Sequence, residues 1–187
     1  MNRELKIPSN KGYVIWFTGL SGAGKTTLAE ALQKKMLENN IVTKILDGDI
    51  LRNGINSGLG FSDNDRKENI RRAAEVAKLF IESNIITLCS FITPTNEMRN
   101  IAKNIIGKNN YIEVFVNCSL ELCELRDVKG LYKKARAGSL SNFTGVSADF
   151  ELPLNPNIEV NTGEYSIEEC INQILTIINK RDNQIHE

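Results

Sequence analysis

Histidine is almost missing from this sequence: its one copy, His186, lies in a polar C-terminal tail. A nucleophilic triad or a zinc centre built on imidazole is therefore excluded, and any general base has to be a carboxylate. Net charge is missing as well. The 23 Lys and Arg residues balance 23 Asp and Glu residues, so no global excess draws the chain to nucleic acid or to an anionic membrane, and neither is expected as a partner. No apolar run approaches the roughly 18 residues needed to cross a bilayer, and no signal peptide is read ahead of the first strand. The four cysteines, Cys89, Cys118, Cys123 and Cys170, have no metal-like spacing and lie mostly in apolar runs, which suits structural thiols in a reducing compartment. The expected location is cytoplasmic. No internal repeat is visible, and 187 residues fit one domain that buries about 70% of its unfolded surface.

What the chain does have is Gly19-Leu20-Ser21-Gly22-Ala23-Gly24-Lys25-Thr26, which matches the pattern GxxxxGK[ST]. Tyr13 to Thr18 before it reads as a buried strand, and Thr27 to Leu37 after it has helical spacing. Glycines let successive backbone N–H groups converge on a phosphate chain, and the helix N-terminus behind them adds partial positive charge. Lys25 is placed to reach the β- and γ-phosphates, and the Thr26 hydroxyl to ligate Mg²⁺.

Strand and helix then alternate. Val42 to Leu46 reads as a second strand running into Asp47-Gly48-Asp49, and Asn56 to Asp65 as a loop. A long helix is expected from about Asn64 to Ser83, a third strand over 85–91, a helix from Asn96 to Ile106, a fourth strand over 111–116, and a helix from Ser119 to Arg126. A last short strand at 158–160 and a helix from Ser166 to Lys180 complete the pattern. The expected fold is a three-layer α/β/α sandwich around a mainly parallel sheet, in a single domain spanning 1–187. Residues 127 to about 156 break the rhythm, and a long irregular segment in a compact domain reads as a lid.

A phosphate loop alone fits motor, switch and transfer proteins. Here the third strand ends in Ser90-Phe91-Ile92-Thr93-Pro94 with no carboxylate, so the acids nearest the loop are Asp47 and Asp49. Carboxyl ends of parallel strands are where such sheets bind ligands. A small chain with a basic lid and acids on strand two suggests a kinase for a small molecule.

At this point longer motifs become recognisable. Asp47-Gly48-Asp49-Ile50-Leu51-Arg52, then Leu59-Gly60-Phe61-Ser62 with Asp65 to Arg72, then Phe91-Ile92-Thr93-Pro94, then Arg126 to Ala135, then Asn142-Phe143-Thr144-Gly145, closely resemble the motifs of adenylylsulfate (APS) kinases. The resemblance implies the P-loop nucleoside-triphosphate-hydrolase fold with a lid, and transfer of the ATP γ-phosphoryl to the 3′-hydroxyl of adenylyl sulfate. It implies that Gly22, Ala23, Gly24, Lys25, Thr26 and Thr27 hold ATP with Arg126 beside them. Asp49, Arg52, Phe61, Arg66, Asn69, Ile92, Thr93, Lys129 and Phe143 would line the acceptor site, with the two phenylalanines sandwiching its adenine. Lys25 and Asp49 take the catalytic roles, Thr26 and Asp47 the Mg²⁺, and a homodimer is implied as the assembly. The chemistry agrees: aromatic faces suit an offset stack, and guanidinium forks suit the oxygens of a sulfate–phosphate anhydride.

The sequence departs from the family pattern at Thr93 (usually serine), Thr95 (usually aromatic), Val128 (usually proline), and Asp149-Phe150-Glu151 with Leu152 and Leu154. These departures are read as clustering around the acceptor pocket and lid. A same-fold kinase acting on a different 5′-substituted nucleotide, for example a cytidine nucleotide in surface-polysaccharide modification, is therefore the alternative.

Overall fold

The computed structural model describes residues 11–184, so the polar residues 1–10 and His186 lie outside the described residues. Strand β1 (Val14–Thr18) is buried at every position, as a central strand covered on both faces must be. It pairs in parallel with β3 (Ile86–Ser90) on one side and β4 (Tyr111–Asn117) on the other. Strand β2 (Thr43–Asp47) pairs with β3, and β5 (Ile158–Asn161) with β4, giving the order β2-β3-β1-β4-β5, parallel throughout. The expected parallel sandwich is the observed one.

Alternation along β1 assigns each layer. Ile15 and Phe17 face a core built with α1 (Lys25–Leu37) and α7 (Ile167–Gln184), while Val14 and Trp16 face one built with α3 (Asp63–Glu82) and α4 (Asn96–Ile106). Ala73, Ala74 and Ala77 give α3 a narrow buried stripe that lets it approach the sheet closely. The strand order reverses direction at β1, because the chain leaves it for β2 at the edge and returns through β3. A crevice opens at the carboxyl end of β1 as a result.

Three local features depart from the reading of the sequence. A one-turn helix α2 (Gly48–Arg52) follows β2 directly, because Asp47 caps it by accepting from the Asp49 N–H at 2.9 Å. Within the irregular 127–156 segment, α6 (Leu131–Arg136) is helical, with the Asp127 carboxylate accepting from the Tyr132 and Lys133 N–H groups at 3.0 Å each. It follows α5 (Leu120–Arg126). The closing helix α7 runs to Gln184, past the expected end at Lys180.

The far end of the 127–156 segment is fixed from the α4 side. Glu151 accepts from the Asn96 N–H at 2.7 Å, and Arg99 donates to the Glu151 carbonyl at 2.6 Å. Arg99 is 3% exposed and meets the buried Glu113 carboxylate at 3.6 Å, an ion pair without a hydrogen bond. Arg99→Ala would strand Glu113 and free two carbonyls, for an expected loss of about 3–5 kcal/mol in denaturant unfolding. The double variant Arg99→Met/Glu113→Leu should recover most of it.

Candidate functional site

The phosphate loop forms where β1 turns into α1. Gly22 and Gly24 have φ of 76° and 98°, and a Cβ on Gly22 would lie 2.9 Å from the Cys123 carbonyl. Any other residue at Gly22 meets both backbone strain and a clash. Lys25 opens the helix and folds over the loop, its Nζ donating to the Leu20 carbonyl at 2.6 Å. Burial drives the Lys25 ammonium down to about 8, partly opposed by Cys123, Asp47 and Asp49 and reinforced by Lys129. A phosphate chain selects the charged ammonium, so nucleotide binding near pH 8 should take up protons, and affinity should fall as pH rises through that value. Calorimetry in buffers of different ionisation enthalpy measures the uptake; binding with no proton uptake at pH 8 contradicts the assignment.

Thr26 Oγ1 donates to Asp47 Oδ2 at 2.8 Å and lies 3.0 Å from Ser90 Oγ. The register explains the trio, because Asp47 is the direct partner of Ser90 across the β2–β3 ladder. The carboxylate missing from the end of β3 is thus supplied one strand over. Asp47 combines this with its capping bond to the Asp49 N–H.

Asp49 stands at the start of α2, exposed, in an ion pair with Lys129 from the turn before α6. Arg52 ends the same turn; it donates to the Gly60 carbonyl at 2.9 Å and covers the Phe61 ring at 4.3 Å. On α3, Arg66 donates to the Phe61 carbonyl at 3.0 Å, to Thr144 Oγ1 at 3.0 Å and to the Asn142 carbonyl, tying the helix to the loop after α6. Burial, and then Arg66, lower the Arg52 guanidinium from its ordinary value; burial lowers Arg66 likewise. Two cations held this close form a wall suited to an anion. Asn69, one turn after Arg66, is buried and lines the same wall.

Thr93 is 1% exposed, and its hydroxyl accepts from the Trp16 indole N–H at 2.9 Å. Its φ of 45° is unusual for a β-branched residue, and the strain is held from two sides: Arg99 donates to its carbonyl at 2.7 Å and Thr18 at 3.3 Å. Strain of this kind concentrates at ligand sites, and this turn does edge the cavity. Phe143 is buried and meets Tyr132 edge-on at 4.9 Å, whereas Phe61 is 53% exposed beneath its guanidinium. Arg126 donates to the Gly22 carbonyl at 3.3 Å, to Thr162 Oγ1 at 3.1 Å and to the Thr162 carbonyl at 2.7 Å, clamping the phosphate loop to the segment after β5.

One cavity of about 820 Å³ joins these groups. Gly22, Gly24, Lys25, Thr26, Thr27 and Arg126 line it together with Arg52, Phe61, Arg66, Asn69, Ile92, Thr93 and Phe143, and with Asp47, Asp49 and Lys129. The Asp49 carboxylate acts electrostatically on both Lys25 and Arg52, which places it between the phosphate loop and the guanidinium wall. Ala23 is buried behind the loop, its carbonyl accepting from Thr162 at 2.8 Å. Of the departures noted in the sequence, Thr93 and Val128 line the cavity, but Thr95 and residues 149–154 do not. The pocket half of the expected clustering is corrected for these residues, of which 149–154 still fall within 127–156: Thr95 caps α4 by accepting from the Met98 N–H, and Glu151 binds the same helix end. The sequence reading also missed Ser90, Thr162, Trp16 and Asn56. A hydroxyl at the end of β3 was a usable signal for Ser90; the others contact the site through distant strands or a loop that reads as solvated.

The family model described as adenylylsulphate kinase matches residues 11–161. The chain belongs to that family. An adenylyl-sulfate kinase of Bacteroides thetaiotaomicron is 54% identical over 180 residues, which span 95% of this chain and 90% of the relative. Among solved structures, the Mycobacterium tuberculosis APS kinase in complex with AMPPNP and APS aligns with a TM-score of 0.88 at 39% identity, over 91% of this chain and 99% of that one. A hexameric APS kinase from Thiobacillus denitrificans aligns with a TM-score of 0.68 at 28% identity, over 92% of this chain and 29% of its own. The strained turn, the guanidinium wall and the phosphate loop of this adenylylsulphate kinase family member thus belong to a fold shared across most of its length.

Proposed function

We propose that this chain transfers the γ-phosphoryl group of ATP to the 3′-hydroxyl of adenylyl sulfate, giving 3′-phosphoadenylyl sulfate and ADP. The observation that carries the reading is the single cavity, lined by a phosphate loop and a two-guanidinium wall with an exposed carboxylate between them. Relatives at about half identity that bear the name adenylyl-sulfate kinase favour this acceptor over a cytidine nucleotide.

In the proposed roles, Gly22 to Thr27 and Arg126 hold ATP, and Lys25 neutralises charge on the transferring group. The donor set of Thr26 and Asp47, hard oxygens 2.8 Å apart, suits Mg²⁺, which would neutralise phosphate charge when bound. Arg52, Arg66 and Asn69 take the phosphosulfate end of the acceptor, and Phe61 and Phe143 its adenine. Asp49 orients the 3′-hydroxyl and accepts its proton as the new oxygen–phosphorus bond forms and the β–γ bond breaks. Lys129 leaves Asp49 for the phosphates as the lid, about 127–156, closes over a single kinase domain.

Product analysis tests the regiochemistry. Treatment of the product with a 3′-specific nucleotidase should regenerate adenylyl sulfate; resistance to that enzyme contradicts the reading. A cytoplasmic place is supported by four buried free cysteines, and no helix among the described residues is long and apolar enough to cross a membrane. A homodimer is proposed from the family resemblance, and sedimentation equilibrium should return twice the chain mass; a monomer or the hexamer of the Thiobacillus relative contradicts it.

A further inference from the structure

Asn56 lies in the loop between α2 and α3 and is fully buried, an unusual place for an amide in a stretch of Gly, Ser and Asn. The loop is tied down around it: the Asn56 N–H donates to the Leu51 carbonyl at 2.9 Å, and Arg72 donates to the Ile55 carbonyl at 2.9 Å. The Asn56 side chain spends its Nδ2 on Asn69 Oδ1 at 2.9 Å, while its own Oδ1 is buried with no partner among the described residues. Leaving a buried acceptor unmatched has a cost that packing alone does not explain.

We propose that Asn56 is a positioning residue that sets which end of the Asn69 amide faces the acceptor nucleotide. With Asn69 Oδ1 engaged, its NH₂ is the group left for the cavity, and that NH₂ has no protein partner among the described residues. The wall it joins consists of donors only, the guanidinium forks of Arg52 and Arg66, with Asn69 and Arg66 one helical turn apart on α3. An anionic sulfate–phosphate group offers acceptors only. An Asn69 turned the other way would aim a carbonyl oxygen at it. Asn56 therefore adds discrimination between anionic and neutral 5′-groups without touching either. This inference rests on the reading of the α3 wall as the acceptor site.

Asn56→Asp provides the reversing test at a pH where infrared spectroscopy shows its carboxyl ionised, because an ionised carboxylate can only accept and so turns the Asn69 NH₂ towards itself. Acceptor KM for adenylyl sulfate should rise about tenfold or more, the order expected for one lost charge-assisted hydrogen bond, with Mg·ATP KM unchanged. Asn56→Ala, which releases Asn69 without reversing it, should give a smaller rise. An unchanged acceptor KM in Asn56→Asp overturns the proposal, as does a parallel rise in both KM values, which marks a merely structural role. Side-chain amide exchange by NMR on the wild-type chain decides independently of variant folding. Slow exchange at the Asn56 NH₂ with fast exchange at the Asn69 NH₂ supports the proposal, and the opposite order overturns it. If the wild-type chain fails to turn over adenylyl sulfate, the functional reading fails, while the exchange measurement still decides the amide assignment.

Discussion

Asp49→Asn should lower kcat by about 10²–10⁴-fold while Mg·ATP binds as it does to the wild-type chain. The carboxylate lies within reach of both Lys25 and Arg52 and takes no part in folding the loop: its side chain is exposed, and its partner is Lys129. Asparagine keeps the shape but neither takes a proton nor holds a hydroxyl donor as tightly. Lys129→Met is the companion variant, since it removes the same ion pair and leaves Asp49 in place. Because Lys129→Met also removes the lysine's contact with the phosphates, a loss in it smaller than that of Asp49→Asn shows that the broken pair does not account for the Asp49 effect. Near-normal turnover in Asp49→Asn removes Asp49 from the mechanism.

Lys25→Met should cost about 10²–10³-fold or more in kcat, the scale of one preorganised cationic contact to developing charge, yet leave the fold at least as stable. The separation follows from the sign of the pKa shift. A buried lysine driven from 10.5 to about 8 is a charged group the folded state disfavours, so its penalty is fully present below about pH 8 and fades as pH rises towards 10.5. Removing the ammonium lifts that penalty, worth up to about 3 kcal/mol, against the loss of its bond to the Leu20 carbonyl. Thermal unfolding at pH 7 should therefore show no drop. A variant that loses both activity and several degrees of stability would make Lys25 a structural residue of the loop.

The phosphate loop was legible because its chemistry is contiguous: eight residues between a strand and a helix carry the whole argument. The sheet was legible for the same reason, since Val14 to Phe17 and Val114 to Val116 are apolar runs that burial on both faces explains. Asp47 could be placed near Thr26, but its pairing with Ser90 depends on the β2–β3 register, which is a property of two strands some forty residues apart. The short helix α2 hid behind Asp-Gly-Asp, a string that reads as a turn until the Asp47 cap is seen. Thr93 reads as a contact for the acceptor and does line the cavity, but only the fold shows that its hydroxyl accepts from Trp16. The segment at 149–154 looked like part of the pocket because it follows Phe143 in sequence; its Glu151 instead anchors α4. Asn56 offered no signal of its own, since an asparagine among glycines and serines looks solvated until the fold buries it.

The most direct test of the account is a coupled ADP-release assay with Mg·ATP, adenylyl sulfate and a panel of other 5′-substituted adenine and cytosine nucleotides. The donor-only wall of Arg52, Arg66 and Asn69 predicts fast release with adenylyl sulfate at micromolar concentration and little with neutral 5′-groups. Silence with adenylyl sulfate beside turnover of a cytidine nucleotide would contradict it.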